Sequence, residues 1–196
     1  IIASSKDDNE IHGLAYDAKI LSIATSQNSN LGFNKLVSSD ADIANLSWSL
    51  ANDNQAGLAL EILTDTITNS EVLLVAAAGN NAEDNPVYPA RFAAKSNFYG
   101  RLIAVSSLDK DMKISGFSNK CGIAKNNCLA APGSAIYSSV ENNKYRNMSG
   151  TSMAAPHVSG AAAILKGAWS HLSATQISEI LLNSAIKVDE EGNLLA

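Results

Sequence analysis

Val72-Leu73-Leu74-Val75-Ala76-Ala77-Ala78 is an uninterrupted apolar run, and Gly79-Asn80 closes it. A run of this length, with β-branched residues and a turn signal at its end, fits a central parallel strand buried on both faces. Outward from it, short apolar runs alternate with longer helical periods. Lys19-Ile20-Leu21-Ser22-Ile23-Ala24 reads as a strand, and so does Ile43-Ala44-Asn45-Leu46-Ser47. Leu58, Ile62, Leu63 and Ile67 fall at helical spacing, which places a helix over 57–67. Pro86, Pro89 and several Asn make 81–100 a loop. Leu102 to Val105 is a strand, and 112–148 reads as short strands and turns around Pro132-Gly133. Thr151 to Lys166 and Ser173 to Leu182 read as helices; the first is rich in Ala and can lie close to a sheet. Alternation of this kind predicts an α/β fold with a mainly parallel sheet flanked by helices. No repeat or low-complexity linker divides the chain, so 1–196 reads as a single domain.

A hydrophobic fraction of 46% is enough to bury a sizeable core, and a charged fraction of 17% argues against disorder. The net charge is −5 and no Lys/Arg run stands out, which excludes an evident nucleic-acid or anionic-membrane surface. Nothing approaches the roughly 18 uninterrupted apolar residues of a membrane span. The chain opens Ile-Ile-Ala-Ser, with neither a signal-peptide pattern nor an initiator Met. An apolar opening without a cap or turn reads as the middle of an element, so the expectation is a chain cut by processing or cloning. Cys121 and Cys128, the only cysteines, flank the polar stretch Gly-Ile-Ala-Lys-Asn-Asn, in which Gly122 can adopt unusual backbone angles. Two unrelated thiols, or half of a zinc site with no His to complete it, are alternatives. The preferred reading is a small local disulfide and an oxidising compartment.

The chemistry concentrates in Gly150-Thr151-Ser152-Met153-Ala154-Ala155-Pro156-His157. A serine in the first turn of a helix sits among backbone N–H groups without intrahelical partners, at the positive end of the helix dipole. That favours the oxyanion an attacking serine generates. Gly150 keeps bulk away from the approaching substrate, and Pro156 is expected near the first turn, where a missing N–H costs little. Gly-Thr-Ser alone would be an ordinary helix N-cap. The longer string, Gly-Thr-Ser-Met-Ala-x-Pro-His, matches without a gap the nucleophile motif of the subtilisin-like serine proteases, or subtilases, which the chain resembles.

That resemblance extends from about Gly13 to about Leu182 and implies a three-layer subtilisin-like α/β fold lacking its N-terminal part. Val75-Ala76-Ala77-Ala78-Gly79-Asn80 is similar to the strand that ends in the family's oxyanion-hole asparagine. The resemblance therefore implies Ser152 as nucleophile and Asn80 as an oxyanion donor, with Gly79, Gly150 and Thr151 at the substrate. Asn45-Leu46-Ser47-Trp48-Ser49 resembles the edge segment on which substrate backbone pairs, which implies substrate contacts for Ser47, Trp48 and Ser49. Trp48 departs from the small residues usual after that serine. Tyr88-Pro89-Ala90 is similar to a stretch carrying a cis-proline in the family; Ser115-Gly116-Phe117-Ser118-Asn119 and Ala130-Ala131-Pro132-Gly133 also match. The cysteine loop and a shortened stretch near 28–41 resemble bacterial autotransporter subtilases. Secretion or surface display and a polypeptide substrate are what the family implies.

A serine nucleophile needs a base and an orienting carboxylate, and subtilases carry them in the order Asp, His, Ser. The chain has three histidines. His12 lacks the family's Gly-Thr-His-Val-Ala-Gly context, and Gly13 to Ile20 resembles a later family segment. His157 lies five positions past Ser152 and, at 100° per residue, points away from it. His171 sits in a turn without a motif. The expectation is that His lies just upstream of Ile1 and Asp further upstream, that the partner is the missing N-terminal part or a pro-region, and that the 196-residue chain alone has little or no peptidase activity. Asp7, Asp8, Asn9 and Glu10 match a segment near which subtilases often bind calcium, but a solvated acidic turn is the reading and no metal or cofactor is expected. An α/β-hydrolase esterase is a poor fit, because Ala154 replaces the last Gly of Gly-x-Ser-x-Gly and His171 precedes Asp189. A catalytically dead subtilase module with a binding role is the alternative, and complementation by a separate chain is a third reading.

Overall fold

Four parallel strands form the centre of the molecule: β1 (Ile43–Leu46), β2 (Leu73–Ala77), β3 (Leu102–Leu108) and β4 (Cys128–Pro132), in that spatial order. The computed structural model describes residues 1–6, 11–23, 34–50, 53–142 and 144–187. β2 is buried along its whole length, and its side chains alternate between two cores. Leu74 and Ala76 meet Ala59, Leu63 and Ile67 of helix α1 (Asp53–Asn69) on one face. Leu73, Val75 and Ala77 meet Ala154, Ala155, Val158 and Ala162 of helix α2 (Thr151–Ala168) on the other, with Ile177 of helix α3 (Ala174–Ser184) behind. This is the expected three-layer sheet. The small side chains of α2 let it lie against all four strands.

Helix α3 starts at a capping box, in which the Ser173 hydroxyl accepts from the Gln176 N–H and the Gln176 carbonyl side chain accepts from the Ser173 N–H. Helix α1 is longer than its apolar spacing predicts, and Leu58 is half exposed; Ala59, Leu63 and Ile67 carry the contact instead. An antiparallel hairpin, β5 (Ile136–Val140) with β6 (Lys144–Met148), leads directly into α2.

Three expectations need correction. Residues 19–23 form no strand, and Ala24 lies outside the described residues. A strand needs a hydrogen-bonding neighbour, and this segment instead borders a groove of about 980 Å³ with β1 on the far side; Ile20 and Leu21 are 62% and 57% exposed. The 81–100 loop contains 3₁₀ turns at Ala90–Ala94 and Ser96–Phe98, because Phe92 and Phe98 are buried and stack at 6.1 Å. β3 runs beyond Val105 because its polar end is satisfied in place: Ser106 Oγ donates to the Asn119 carbonyl at 2.8 Å, and the Ser107 and Ser115 hydroxyls are 2.8 Å apart. The Tyr88–Pro89 peptide is cis.

Candidate active site

Parallel strands present their C-terminal ends to one edge, where ligands of open α/β sheets bind. Here the C-terminal end of β2 meets the N-terminus of α2. Gly79 follows β2 at φ +110°, and the N-cap Gly150 precedes α2 at φ +156°. Both angles are ones that glycine tolerates best. A Cβ on Gly150 would stand 3.5 Å from Asn80 Nδ2 and 3.7 Å from Met153 Sδ.

Thr151 joins the two ends. Its buried hydroxyl accepts from the Gly79 N–H at 3.1 Å and donates to Asn80 Oδ1 at 3.0 Å; its own N–H donates to the same Oδ1 at 2.8 Å. With Oδ1 held by two donors, the amide orientation of Asn80 is determined, and the residue itself is exposed. The Ser152 N–H belongs to the first helical turn, where the helix supplies no acceptor. The end of β2 and the N-terminus of α2, which carries Ser152, are thus tied together through Thr151 and Asn80.

Ser152 is held from behind by β1. Pro156 is the sixth residue of α2, not a first-turn residue as expected, so the helix lacks the N–H that would bond the Ser152 carbonyl. That carbonyl accepts from Ser47 Oγ at 3.0 Å instead. Ser47 Oγ in turn accepts from Asn45 Nδ2 at 2.9 Å, and Asn45 Oδ1 accepts from Ser159 Oγ at 3.1 Å. The Ser152 hydroxyl donates to the Ser47 carbonyl at 3.3 Å. Asn45 and Ser159 were not singled out from the sequence; the missing N–H of Pro156 is the signal that leads to them.

No histidine holds this serine. His157 Nδ1 donates to the Met153 carbonyl at 2.8 Å, and His12 Nδ1 donates to the Gly13 carbonyl at 3.2 Å; His171 is exposed in the turn between α2 and α3. Burial lowers the His157 pKa from 6.5, and the bond to Met153 opposes this. Among the described residues no group of three or more His, Cys, Asp or Glu could hold a metal ion; Asp7, Asp8, Asn9 and Glu10 lie outside them.

The cleft at Ser152 has a volume of about 300 Å³, and Asn45, Ser47, Met153, Ile136 and Met148 are among its walls. Of the other expected substrate contacts, Ser49 is exposed past the end of β1. Trp48 packs against the α1-side core and lines the larger groove. Cys121 and Cys128 form a disulfide, with Cα atoms 5.8 Å apart, across a 3₁₀ turn at Gly122–Asn127 in which Gly122 has φ +41°.

The family model described as the subtilase family matches residues 1–195. The chain belongs to the subtilase family. Thermitase from Thermoactinomyces vulgaris is 34% identical over 199 residues, which cover 99% of this chain and 67% of thermitase. Subtilisin-like protease 2 from Plasmodium falciparum is 31% identical over 204 residues, 96% of this chain and 15% of that protein. Among solved structures, the patellamide maturation protease PatA has a TM-score of 0.79 at 25% identity, covering 97% of this chain and 72% of PatA. This subtilase chain therefore spans a small part of the Plasmodium relatives it matches. No helix among the described residues is long and apolar enough to cross a membrane.

Proposed function

We propose that this subtilase chain carries the nucleophile and oxyanion site of a serine endopeptidase. Ser152 Oγ bonds to the carbon of a scissile peptide carbonyl and gives its proton to a histidine base. The carbonyl oxygen becomes an oxyanion that accepts from Asn80 Nδ2–H and the Ser152 N–H. The C–N bond breaks as the base returns the proton to the leaving amine, and water then hydrolyses the acyl-enzyme on Ser152. Gly79, Gly150 and Thr151 shape the oxyanion side, while Ser47, Trp48 and Ser49 flank the substrate. Oxyanion donors of this kind are worth about 10²–10³ in turnover, a value measured on subtilisin itself.

The observation that carries the proposal is the fixed amide of Asn80. Thr151 holds its Oδ1 with two hydrogen bonds, which supports the reading that Nδ2 is the group offered to the oxyanion. The base and its carboxylate are supplied by polypeptide outside these 196 residues, since the three histidines are engaged or placed elsewhere. The chain alone is therefore inactive. The site uses no cofactor, the substrate is a polypeptide, and the protein works outside the cell or on its surface. That location accords with an extracellular serine protease of Serratia marcescens, 27% identical over 263 residues. Labelling with a fluorophosphonate probe, mapped by mass spectrometry, tests this: Ser152 is labelled in protein that includes the upstream polypeptide, and Ser152→Ala abolishes it. A catalytically dead module would leave Ser152 unlabelled in both.

A further inference from the structure

The loop that presents Asn80 is moulded on one buried side chain that has no part in the chemistry just described. Asn119 is fully buried, and its amide meets the loop at three points. Its Oδ1 accepts from the Asn81 N–H at 2.8 Å and from the Glu83 N–H at 3.3 Å, and its Nδ2 donates to the Asn85 carbonyl at 3.0 Å. Its backbone N–H donates to the Gly79 carbonyl at 2.9 Å. Asn119 thus bonds to residues on both sides of Asn80 and leaves Asn80 itself to Thr151.

Asn119 is itself fixed. Its carbonyl accepts from Ser106 Oγ at 2.8 Å and from Ser118 Oγ at 2.9 Å, which ties it to β3. The fit is close: a Cβ on Gly79 would stand 2.9 Å from Asn119 Nδ2 and 3.0 Å from both Val87 methyls. Beyond Asn119, the disulfide-closed turn packs on the same loop, where Asn85 Oδ1 accepts from the Ile123 N–H at 2.9 Å. Buried amides that satisfy several backbone groups at once impose one geometry on a segment that has no regular structure of its own.

We propose that Asn119 is a positioning residue for oxyanion stabilisation, acting through Asn80 and resting on the protease reading above. An oxyanion donor displaced by a fraction of an ångström loses much of its effect on the transition state while ground-state binding hardly changes. In protein that includes the upstream polypeptide, Asn119→Ala lowers kcat for a peptide p-nitroanilide about 10- to 100-fold, with KM within about 3-fold. In an Asn80→Ala background the same substitution lowers kcat by less than about 3-fold, because the donor it positions is already gone. Asn119→Asp, which keeps the accepted bonds and loses the donated one, lies between wild type and Asn119→Ala. Equal losses in both backgrounds overturn the proposal.

Backbone hydrogen exchange on the 196-residue chain gives a readout that needs no turnover. Asn119→Ala, or Asn119→Asp if the alanine variant does not fold, accelerates exchange at the Asn81 and Glu83 amides and leaves Val75 in β2 protected. Unchanged exchange at 81 and 83, or equal acceleration along β2, overturns the proposal as well. If the wild-type protein neither turns over substrate nor labels at Ser152, the protease reading fails while exchange still decides the role of Asn119.

Discussion

Pro156 and Ser47 work as a pair at the nucleophile. The proline removes the N–H that would occupy the Ser152 carbonyl, and the Ser47 hydroxyl takes that acceptor from across the sheet. The consequence is a tie between β1 and the first turn of α2 that an uninterrupted helix would not make. Ser47→Ala is expected to destabilise by about 1 kcal/mol, since one half-buried carbonyl loses its donor. Pro156→Ala restores an intrahelical N–H, so the cost of Ser47→Ala should shrink in that background; urea denaturation of the two single variants and the double checks this. His157 carries the second prediction at this scale. Burial favours its neutral form in the folded chain, so the contribution is present above the ordinary histidine pKa of 6.5 and is lost as the pH falls toward the lowered folded value. His157→Gln should therefore flatten the fall in urea midpoint between about pH 7 and pH 5.

Elements hold their places through a few buried contacts. Arg101, 8% exposed, donates Nη1 to the Ser70 carbonyl at 2.7 Å and Nη2 to the Ile67 carbonyl, and so caps the C-terminal end of α1 from the start of β3. Arg101→Met should cost about 1–3 kcal/mol in chemical denaturation by leaving those carbonyls unpaired. Glu71→Gln, which removes only a surface partner 3.8 Å away, should cost less than about 1 kcal/mol. Leu74→Ala in fully buried β2 is expected to cost about 2–5 kcal/mol, while Leu21→Ala, 57% exposed, should stay within about 0.5 kcal/mol in this chain. The contrast marks what could be read in advance. The run from Val72 was legible because burial on both faces demands apolar residues throughout. The strand expected at Lys19–Ala24 rests on Ile20, Leu21 and Ile23, but composition does not supply the neighbouring strand that a ladder requires. Ser106 and Ser107 hid the far half of β3, because their hydroxyls are satisfied by residues distant in sequence.

At the scale of the whole molecule, two separate segments meet: the end of β2 brings Asn80, and the start of α2 brings Thr151 and Ser152, with Thr151 bonded to Asn80. Both segments were legible as a strand end and a helix start because their local strings are distinctive. Asn45, Ser159 and Asn119 were not, since each acts through contacts made only when the layers close. The packing of Trp48 was not legible for the same reason: its partly buried side chain meets the core on the α1 side. The central claim is that Ser152 and Asn80 form a competent nucleophile and oxyanion site that awaits a base from elsewhere. The most direct test is the rate of Ser152 labelling by a fluorophosphonate in the 196-residue chain and in protein extended upstream, each with Asn80 and with Asn80→Ala. The extended protein should label at Ser152, Asn80→Ala should slow it by about 10²–10³, and the short chain should not label. Labelling of the short chain at the rate of the extended one, or labelling indifferent to Asn80, would contradict the account.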